Sequence, residues 1–117
     1  MIAGVSGGPD SLCLMNLLRK AGYHTIVAHF NHKLRPDADA DANTVEQASA
    51  RLNLISVIES GDVRTYADQQ KVSIEEAART MRYRFLMEQA RRFNAQAVAV
   101  GHTAEEQVET VLDRALA

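Results

Sequence analysis

Short apolar segments of strand length alternate with amphipathic segments of helical length throughout this 117-residue chain. The apolar segments cover residues 2–5, 25–30, 54–58 and 97–100, and helical periodicity covers residues 10–20, 39–52, 73–93 and the stretch from Thr103 onward. Strands that are separated by helices need crossover connections, and such connections join parallel strands. The pattern therefore predicts an α/β fold in which helices cover both faces of a parallel sheet.

The length and composition of the chain predict one small domain. With 46% hydrophobic residues, residues 1–117 can bury a single core. The chain stops inside the last predicted helix, without a cap or a closing strand, so we expect this domain to be incomplete at its C-terminus. Neither a signal peptide nor a segment of membrane-spanning length is apparent, which predicts a cytoplasmic protein without a membrane partner.

Charge and cysteine content narrow the function classes. The net charge is −2, from 13 basic and 15 acidic residues, so any contact with a nucleic acid must come from a local patch. A single cysteine, Cys13, excludes an internal disulfide and a cysteine-rich metal site. Because it lies among leucines on a predicted helix, we expect Cys13 to be a small core residue.

The hexapeptide Ser6-Gly7-Gly8-Pro9-Asp10-Ser11 follows the first apolar segment directly. Paired glycines allow a sharp turn and a close backbone approach, and the amides at a helix start favour an anion. The two serines add hydroxyl donors, and Asp10 can hold Mg²⁺. The sequence lacks the Lys-Ser or Lys-Thr pair of a Walker loop and the Gly-x-Gly-x-x-Gly pattern. It predicts a phosphate-binding loop, with a plain strand-to-helix turn as the alternative.

Three clusters of unusual residues follow predicted strands, at residues 6–11, 29–35 and 101–109. Ligands of parallel sheets bind beyond the carboxyl ends of the strands, where the strand order reverses. We therefore expect these three clusters to meet in one binding site.

Several motifs allow a structural interpretation instead. The sequence Asp37-x-Asp39-x-Asp41 imitates a calcium loop but lacks its glycine and its closing glutamate, so we interpret it as a helix start capped by Asp39. Two histidines, His29 and His32, could suggest a zinc site, but no third zinc ligand is evident in the sequence, so we do not interpret them as one.

The charged residues of the last two predicted helices have structural alternatives as well. The pair Thr103 and Glu106 has the spacing of a helix capping box. Because Arg82 borders an apolar stripe, we expect it to turn toward the interior.

The hexapeptide is similar to the phosphate loop of the N-type ATP pyrophosphatases, the PP-loop superfamily. Three further stretches resemble the tRNA(Ile)-lysidine synthetases within that superfamily: residues 29–35 (HFNHKLR), residues 75–86 (EEAARTMRYRFL) and residues 101–110 (GHTAEEQVET). The resemblance runs along the whole chain. It implies an adenine nucleotide alpha hydrolase-like (Rossmann-like) fold and an ATP-binding PP-loop domain over residues 1–117.

The resemblance also implies a reaction. ATP adenylates the C2 carbonyl oxygen of the wobble cytidine in tRNA(Ile) and releases pyrophosphate, and the side-chain amine of free L-lysine then displaces AMP. The expected cofactors are ATP, as a substrate, and Mg²⁺, and the expected partners are tRNA(Ile) and L-lysine, with a homodimer left open.

Site residues follow from the same resemblance. Those expected to bind ATP are Ser6, Gly7, Gly8, Pro9, Asp10, Ser11, His29, Asn31, Gly101 and His102. The expected catalytic residues are Asp10, Arg82, Glu106 and Glu109; of these, Asp10 is the Mg²⁺ ligand, with Glu106 as a second candidate, and Arg82, Glu106 and Glu109 surround the lysine.

Two alternatives stay open at this point. The first is a related PP-loop enzyme that thiolates tRNA, although the enzymes of this kind that resemble the chain use cysteine pairs. The second is an ATP-binding module without catalysis, because the domain is expected to be incomplete. The family commonly has two aspartates where this chain has Glu105 and Glu106, which leaves the role of Glu106 open.

Overall fold

The computed structural model describes residues 1–6, 9–34, 36–102 and 107–112; for residues 9, 10, 101, 102 and 107–112 it describes the backbone alone. The elements follow one another as β1 (Ile2–Gly4), α1 (Pro9–Lys20), β2 (Ile26–Asn31), α2 (Ala38–Arg51), β3 (Ile55–Ser60), α3 (Val63–Gln70), α4 (Ile74–Arg92), β4 (Ala97–His102) and β5 (Gln107–Leu112). Among the described helices, none is long and apolar enough to cross a membrane.

The strands form one sheet in the order β3-β2-β1-β4-β5. The first four strands are parallel, with Ile2 of β1 opposite Ile26 of β2 on one side and Val98 of β4 on the other. The chain leaves β1 toward β2 and β3 and then returns to the far side of β1 as β4. The predicted parallel sheet is thus confirmed, and its strand order reverses between β1 and β4.

Helices cover both faces of the sheet, and alternate residues of each strand point to opposite cores. One core joins Ile2 and Ala28 to Phe85 and Leu86 of α4. On the other face, Ala3 and Val27 pack against side chains of α1 and α2. Both faces of the central strands are therefore buried, as in other parallel sheets. The predicted arrangement of helices on both faces is confirmed.

Helix α3 was not predicted from the sequence. It begins after Asp62, whose side chain accepts a hydrogen bond from the Thr65 amide, and it ends at Lys71 in the left-handed conformation (φ 56°). Its buried residues Val63 and Ala67 pack on Ala77 of α4 in a small third cluster. The eight-residue helix is too short for a clear periodic pattern, so its tertiary packing decides its conformation.

The helix predicted from Thr103 onward was wrong over residues 107–112, which form β5 instead. This strand pairs antiparallel with β4, and Glu109 lies opposite Val100. Three of its six residues are the β-branched Val108, Thr110 and Val111, which are more compatible with a strand than with a helix. The other edge of β4 offers unpaired backbone groups, and β5 satisfies them.

The expectation that Cys13 is a core residue was also wrong, because its side chain is exposed. The buried face of α1 carries Ser11, Leu14 and Met15. The helical repeat turns position 13 away from that face.

Candidate functional site

A cavity of about 470 Å³ lies at the carboxyl ends of β1 and β2, a size typical of small-ligand sites. The strands and the β1 end contribute Gly4, Val5, Ser6, Ala28, His29, Phe30, Asn31, His32 and Val100 to its lining, and the flanking helices contribute Asp37, Ala38, Asp41, Arg82 and Leu86. Since both β1 and β4 contribute, the cavity lies where the strand order reverses. This is the position at which open parallel sheets bind ligands.

Gly4 lets α4 approach the cavity floor closely. A β-carbon at this position would lie 3.2 Å from Cδ1 of Leu86 and 3.5 Å from Cγ2 of Val100. Both neighbours line the cavity, so a larger residue at position 4 would push into them or into the cavity itself.

The first and last residues of the hexapeptide, Ser6 and Ser11, are joined by hydrogen bonds. The Ser6 amide donates to Oγ of Ser11 over 3.2 Å, and the two hydroxyl oxygens lie 3.1 Å apart. Ser11 is buried in the first turns of α1, and Ser6 lines the cavity. The contact draws the end of β1 and the start of α1 together. The helix N-terminus therefore lies beside the cavity, where its dipole favours an anion.

His29 has one partnered and one unpartnered ring nitrogen. Its Nδ1–H donates to the Val5 carbonyl oxygen over 2.7 Å, since a carbonyl can only accept. In this tautomer Nε2 is an acceptor, and it is buried without a hydrogen-bond partner among the residues that the structure describes. His29 is 5% exposed and lines the cavity. An unpartnered buried acceptor in a cavity wall is suited to a hydrogen-bond donor on a ligand.

Asn31, expected to bind ATP, uses both ends of its side-chain amide within the protein. Its Nδ2 donates to Oδ1 of Asp39 over 2.7 Å, and its Oδ1 accepts from the Lys33 amide over 3.0 Å. Asp39 also pairs with Nζ of Lys33 at 2.8 Å. The hydrogen bonds from Lys33 and then from Asn31 lower the pKa of the Asp39 carboxyl. These contacts fasten the segment after β2 to the start of α2.

The same contacts correct the expected helix cap. Asp39 was predicted to cap the helix of residues 39–52, but α2 begins one residue earlier and its N-cap position is Asp37. The carboxylate of Asp39 is bound to Lys33 and Asn31, so it is turned away from the first amides of the helix.

The sequence predicts only a helix start for Asp37 and Asp41, but both residues line the cavity. Their spacing of four residues was the available signal, because it places both on one side of the helix start. They add acidic groups to the cavity lining.

Arg82 lines the cavity, but its side chain is exposed and is not turned to the interior as expected. Leu86, one helical turn further along α4, is buried against the cavity floor. Position 82 therefore lies at the rim of the cavity, where a guanidinium reaches both the cavity and solvent.

For the other predicted site residues, the structure describes only the backbone or does not describe the residue. Gly101 and His102 end β4, and Glu109 belongs to β5. The helix predicted from Thr103 onward would place Glu106 and Glu109, three residues apart, on one helical face. Because Glu109 lies in β5, that expectation is wrong for Glu109. The remaining predicted positions lie outside the described residues or side chains; these are Gly7, Gly8, Glu106 and the side chains of Pro9 and Asp10.

Among the described side chains, no three His, Cys, Asp or Glu residues come together as a metal cluster. Mg²⁺ is usually held by one or two carboxylates together with substrate phosphates and water. Asp37 and Asp41 place carboxylates, the ligand type that Mg²⁺ takes, in the cavity lining.

Comparison with known proteins relates the chain to one family. The family model of the PP-loop domain matches residues 1–116. The chain is 40% identical over 117 residues to a tRNA(Ile)-lysidine synthase of Dehalococcoides mccartyi, a match that covers 96% of this chain and 25% of that protein. It is 37% identical to the tRNA(Ile)-lysidine synthase of Petrotoga mobilis, and that match covers 99% of this chain and 39% of the Petrotoga protein. It is 38% identical to the tRNA(Ile)-lysidine synthase of Thermus thermophilus, and that match covers 96% of this chain and 22% of the Thermus protein. The chain thus spans well under half the length of these relatives.

Proposed function

This chain belongs to the PP-loop domain family, and from that premise we propose that it is the ATP-binding unit of a tRNA(Ile)-lysidine synthase. In this proposal ATP binds at the carboxyl ends of β1 and β2, with its phosphates toward the start of α1. The curated relatives that share 37–40% of its residues carry that enzyme name.

The observation that carries the proposal is the cavity beside the hydrogen-bonded pair Ser6 and Ser11. It joins a helix N-terminus suited to phosphates with the buried, unpartnered Nε2 acceptor of His29. A nucleotide brings both complements, since its phosphates are anions and its sugar hydroxyls and base amine are donors. The cavity volume of about 470 Å³ fits a ligand of that size.

The proposed chemistry has two steps. In the first, the C2 carbonyl oxygen of the wobble cytidine attacks the α-phosphorus of ATP, and the bond to pyrophosphate breaks. In the second, the side-chain amine of lysine attacks C2, the C2–O bond breaks, AMP leaves and the amine loses a proton. Positioning and charge neutralisation supply most of the catalysis in phosphoryl-group chemistry of this kind.

We assign roles to the site residues on the same basis. Asp10 holds Mg²⁺ together with the ATP phosphates, and the metal neutralises the charge that develops on pyrophosphate. Arg82, at the cavity rim, binds the lysine carboxylate, for which its planar guanidinium is suited. Glu106 and Glu109 receive the lysine amines, and β5 carries the backbone of Glu109 alongside Val100 of the cavity wall.

The cysteine content of the chain argues against the thiolation alternative. That chemistry uses a cysteine pair, whereas this chain has a single cysteine, Cys13, which is exposed on α1 and does not line the cavity.

Calorimetric titration of Mg·ATP tests the nucleotide site. We expect wild type to bind Mg·ATP more tightly than metal-free ATP, and Asp10→Ala to lose that metal dependence, because the carboxylate ligand is gone. Asp68→Ala, which removes an exposed carboxylate of α3 outside the cavity, is the matched control. Equal binding of Mg·ATP by wild type and Asp10→Ala would show that Asp10 is not the metal ligand.

Titration of L-lysine into the Mg·ATP-bound chain tests the second substrate. L-norleucine has the same carbon chain without the terminal amine, so we expect it to bind more weakly to wild type. Glu109→Gln should reduce the preference for lysine roughly tenfold, since a charged hydrogen bond is worth about 1.5–3 kcal/mol. An unchanged preference in Glu109→Gln would remove this residue from the lysine site.

A further inference from the structure

The solvent face of α4 carries a row of arginines and a tyrosine, which we call the α4 outer face: Arg79, Tyr83, Arg84 and Arg91. The three arginines are exposed and Tyr83 is partly exposed. A groove of about 740 Å³ runs along this face, and its lining also includes Glu76, Thr80, Met87 and Glu88.

The arginines of this face form no ion pair with a carboxylate of the described residues. Glu75 lies four residues before Arg79, and Glu88 lies four residues after Arg84, which are spacings that favour intrahelical ion pairs. In the described part of the chain, neither pair forms, and the ion pair present is Lys33–Asp39. The guanidinium groups of the α4 outer face therefore keep their charge available to an external anion.

Aromatic rings lie beneath two of these guanidinium groups instead. The Cζ atom of Arg79 is 5.9 Å from the centroid of the Tyr83 ring, and that of Arg84 is 5.6 Å from the Tyr66 ring of α3. Both distances are within the range of cation–π contacts. Planar guanidinium and phenol groups held next to each other offer stacking surfaces as well as positive charge.

The α4 outer face is connected to the candidate ATP cavity through a third groove. This groove shares Glu76 and Arg79 with the outer groove, and it shares Arg82 with the cavity. A continuous path of surface therefore leads from the cavity rim over Arg82 and Arg79 to Arg84 and Arg91.

We propose that the α4 outer face binds unpaired RNA, namely the nucleotides that flank the base held in the cavity. This inference rests on the proposed function, since it needs an RNA base at the cavity. Arginine side chains pair with the phosphates, and the Tyr and Arg planes stack on bases, as single-stranded RNA recognition generally requires. It also explains how a chain with a net charge of −2 contacts RNA, through a local patch.

RNA fits these features better than an acidic protein does. An acidic peptide would match the arginines but would meet Glu76 and Glu88 in the same groove without a stacking group to compensate. RNA presents flat bases and phosphates in alternation, which matches aromatic and cationic groups in alternation.

The test uses the full 117-residue chain and a fluorescent RNA stem-loop with the anticodon arm sequence of tRNA(Ile). Binding is measured by anisotropy at a series of salt concentrations. We expect the triple variant Arg79→Ala, Arg84→Ala, Arg91→Ala to lose tenfold or more in affinity. The slope of log affinity against log salt should fall by about 2, since each single-strand phosphate contact contributes roughly 0.7.

A matched control removes three exposed arginines from other helices: Arg19→Ala, Arg51→Ala, Arg64→Ala. These residues line none of the three grooves, so this variant, with the same change in net charge, should bind nearly as wild type does. A blunt RNA duplex of equal length should bind more weakly than the stem-loop, because its bases are not free to stack. Calorimetry of Mg·ATP should give equal affinity for wild type and both triple variants.

Each remaining outcome overturns the proposal. Equal losses in the two triple variants would show general charge attraction without a defined surface. Polyglutamate that competes as well as the stem-loop at equal charge concentration would indicate an acidic protein partner. Undetectable RNA binding by wild type at low salt would exclude the surface. Mg·ATP binding, measured separately, would still decide the proposed nucleotide function in all three cases.

Discussion

His29 connects the fold to the site at the scale of single residues. One ring nitrogen holds the Val5 carbonyl at the end of β1, and the other is left in the cavity wall. A single side chain thus holds the end of β1, directly before the hexapeptide of residues 6–11, and offers an acceptor to a ligand. Family resemblance predicts that His29 binds ATP, and this role stays a prediction.

Two amide substitutions separate these roles of His29. Asn places its N–H near the position of Nδ1, so His29→Asn should keep the Val5 contact and the stability but weaken Mg·ATP binding. Gln places its amide near Nε2, so His29→Gln should retain more ATP affinity but lose stability. The loss of one neutral hydrogen bond predicts roughly a threefold to tenfold weaker affinity for His29→Asn, and an unpaired buried carbonyl costs about 1–3 kcal/mol in His29→Gln.

Calorimetry gives the two affinities, and urea unfolding gives the two stabilities. If both variants bind Mg·ATP as wild type does, Nε2 has no part in the site. If His29→Gln is as stable as wild type, the contact with Val5 does not hold the end of β1.

Asn31 lines the cavity, but its side-chain amide is occupied by contacts within the protein. Family resemblance placed it beside the nucleotide, and the structure does place it in the cavity lining. Its amide, however, is already bound to Asp39 and Lys33. Asn31 therefore stabilises the conformation of the segment after β2, because a polar side chain whose hydrogen bonds are satisfied holds a loop in one conformation.

At the scale of elements, α3 depends on its cap. The carboxylate of Asp62 accepts hydrogen bonds from the Thr65 hydroxyl at 2.7 Å and from the Thr65 amide at 3.1 Å. These hydrogen bonds, the hydroxyl's first, lower the pKa of the Asp62 carboxyl. The folded state therefore binds this proton less readily than the unfolded state does. The stabilisation is present above the ordinary carboxyl pKa and is lost as the pH falls through the lowered folded value.

We predict that Asp62→Ala lowers the Tm at pH 7 and that its difference from wild type shrinks as the pH falls toward 3. Ser73→Ala is the matched control, because Ser73 caps α4 with an uncharged hydroxyl that accepts from the Glu76 amide at 3.0 Å. Its cost, about 1 kcal/mol, should be similar at both pH values. Thermal unfolding followed by circular dichroism measures both. An Asp62→Ala effect that stays constant with pH would mean that the charge of the carboxylate does not stabilise the cap.

Elements that are long and periodic were predicted well, and short or edge elements were not. Helix α4 and the four parallel strands have strong patterns, because each buries a full face or a full run of residues. Helix α3 is short and depends on its contact with α4. Strand β5 forms by pairing with the edge of β4, and no local pattern records which edge is free.

At the scale of the whole molecule, the sheet order decides where a ligand can bind. The chain leaves β1 toward β2 and returns from β3 to the other side of β1 as β4, so a crevice opens at the ends of β1 and β4, and the cavity lies there. Two cores on opposite faces hold this arrangement: α1 and α2 pack on one side and α4 on the other. The same placement of α4 brings Arg82 to the cavity rim and turns Arg84 toward Tyr66 of α3.

The sequence alone determined the alternation of strands and helices, the parallel sheet and the position of the glycine- and serine-containing hexapeptide after the first strand. These follow from periodicity and from glycine and serine chemistry within a few neighbouring residues, which are local properties. Only the tertiary structure decided that His29 donates to Val5, 24 residues away, that β5 closes the edge of β4, and that the arginines of α4 form no ion pairs with its glutamates in the described part of the chain. Such contacts depend on how distant segments pack, and packing is a property of the whole chain that no local pattern contains.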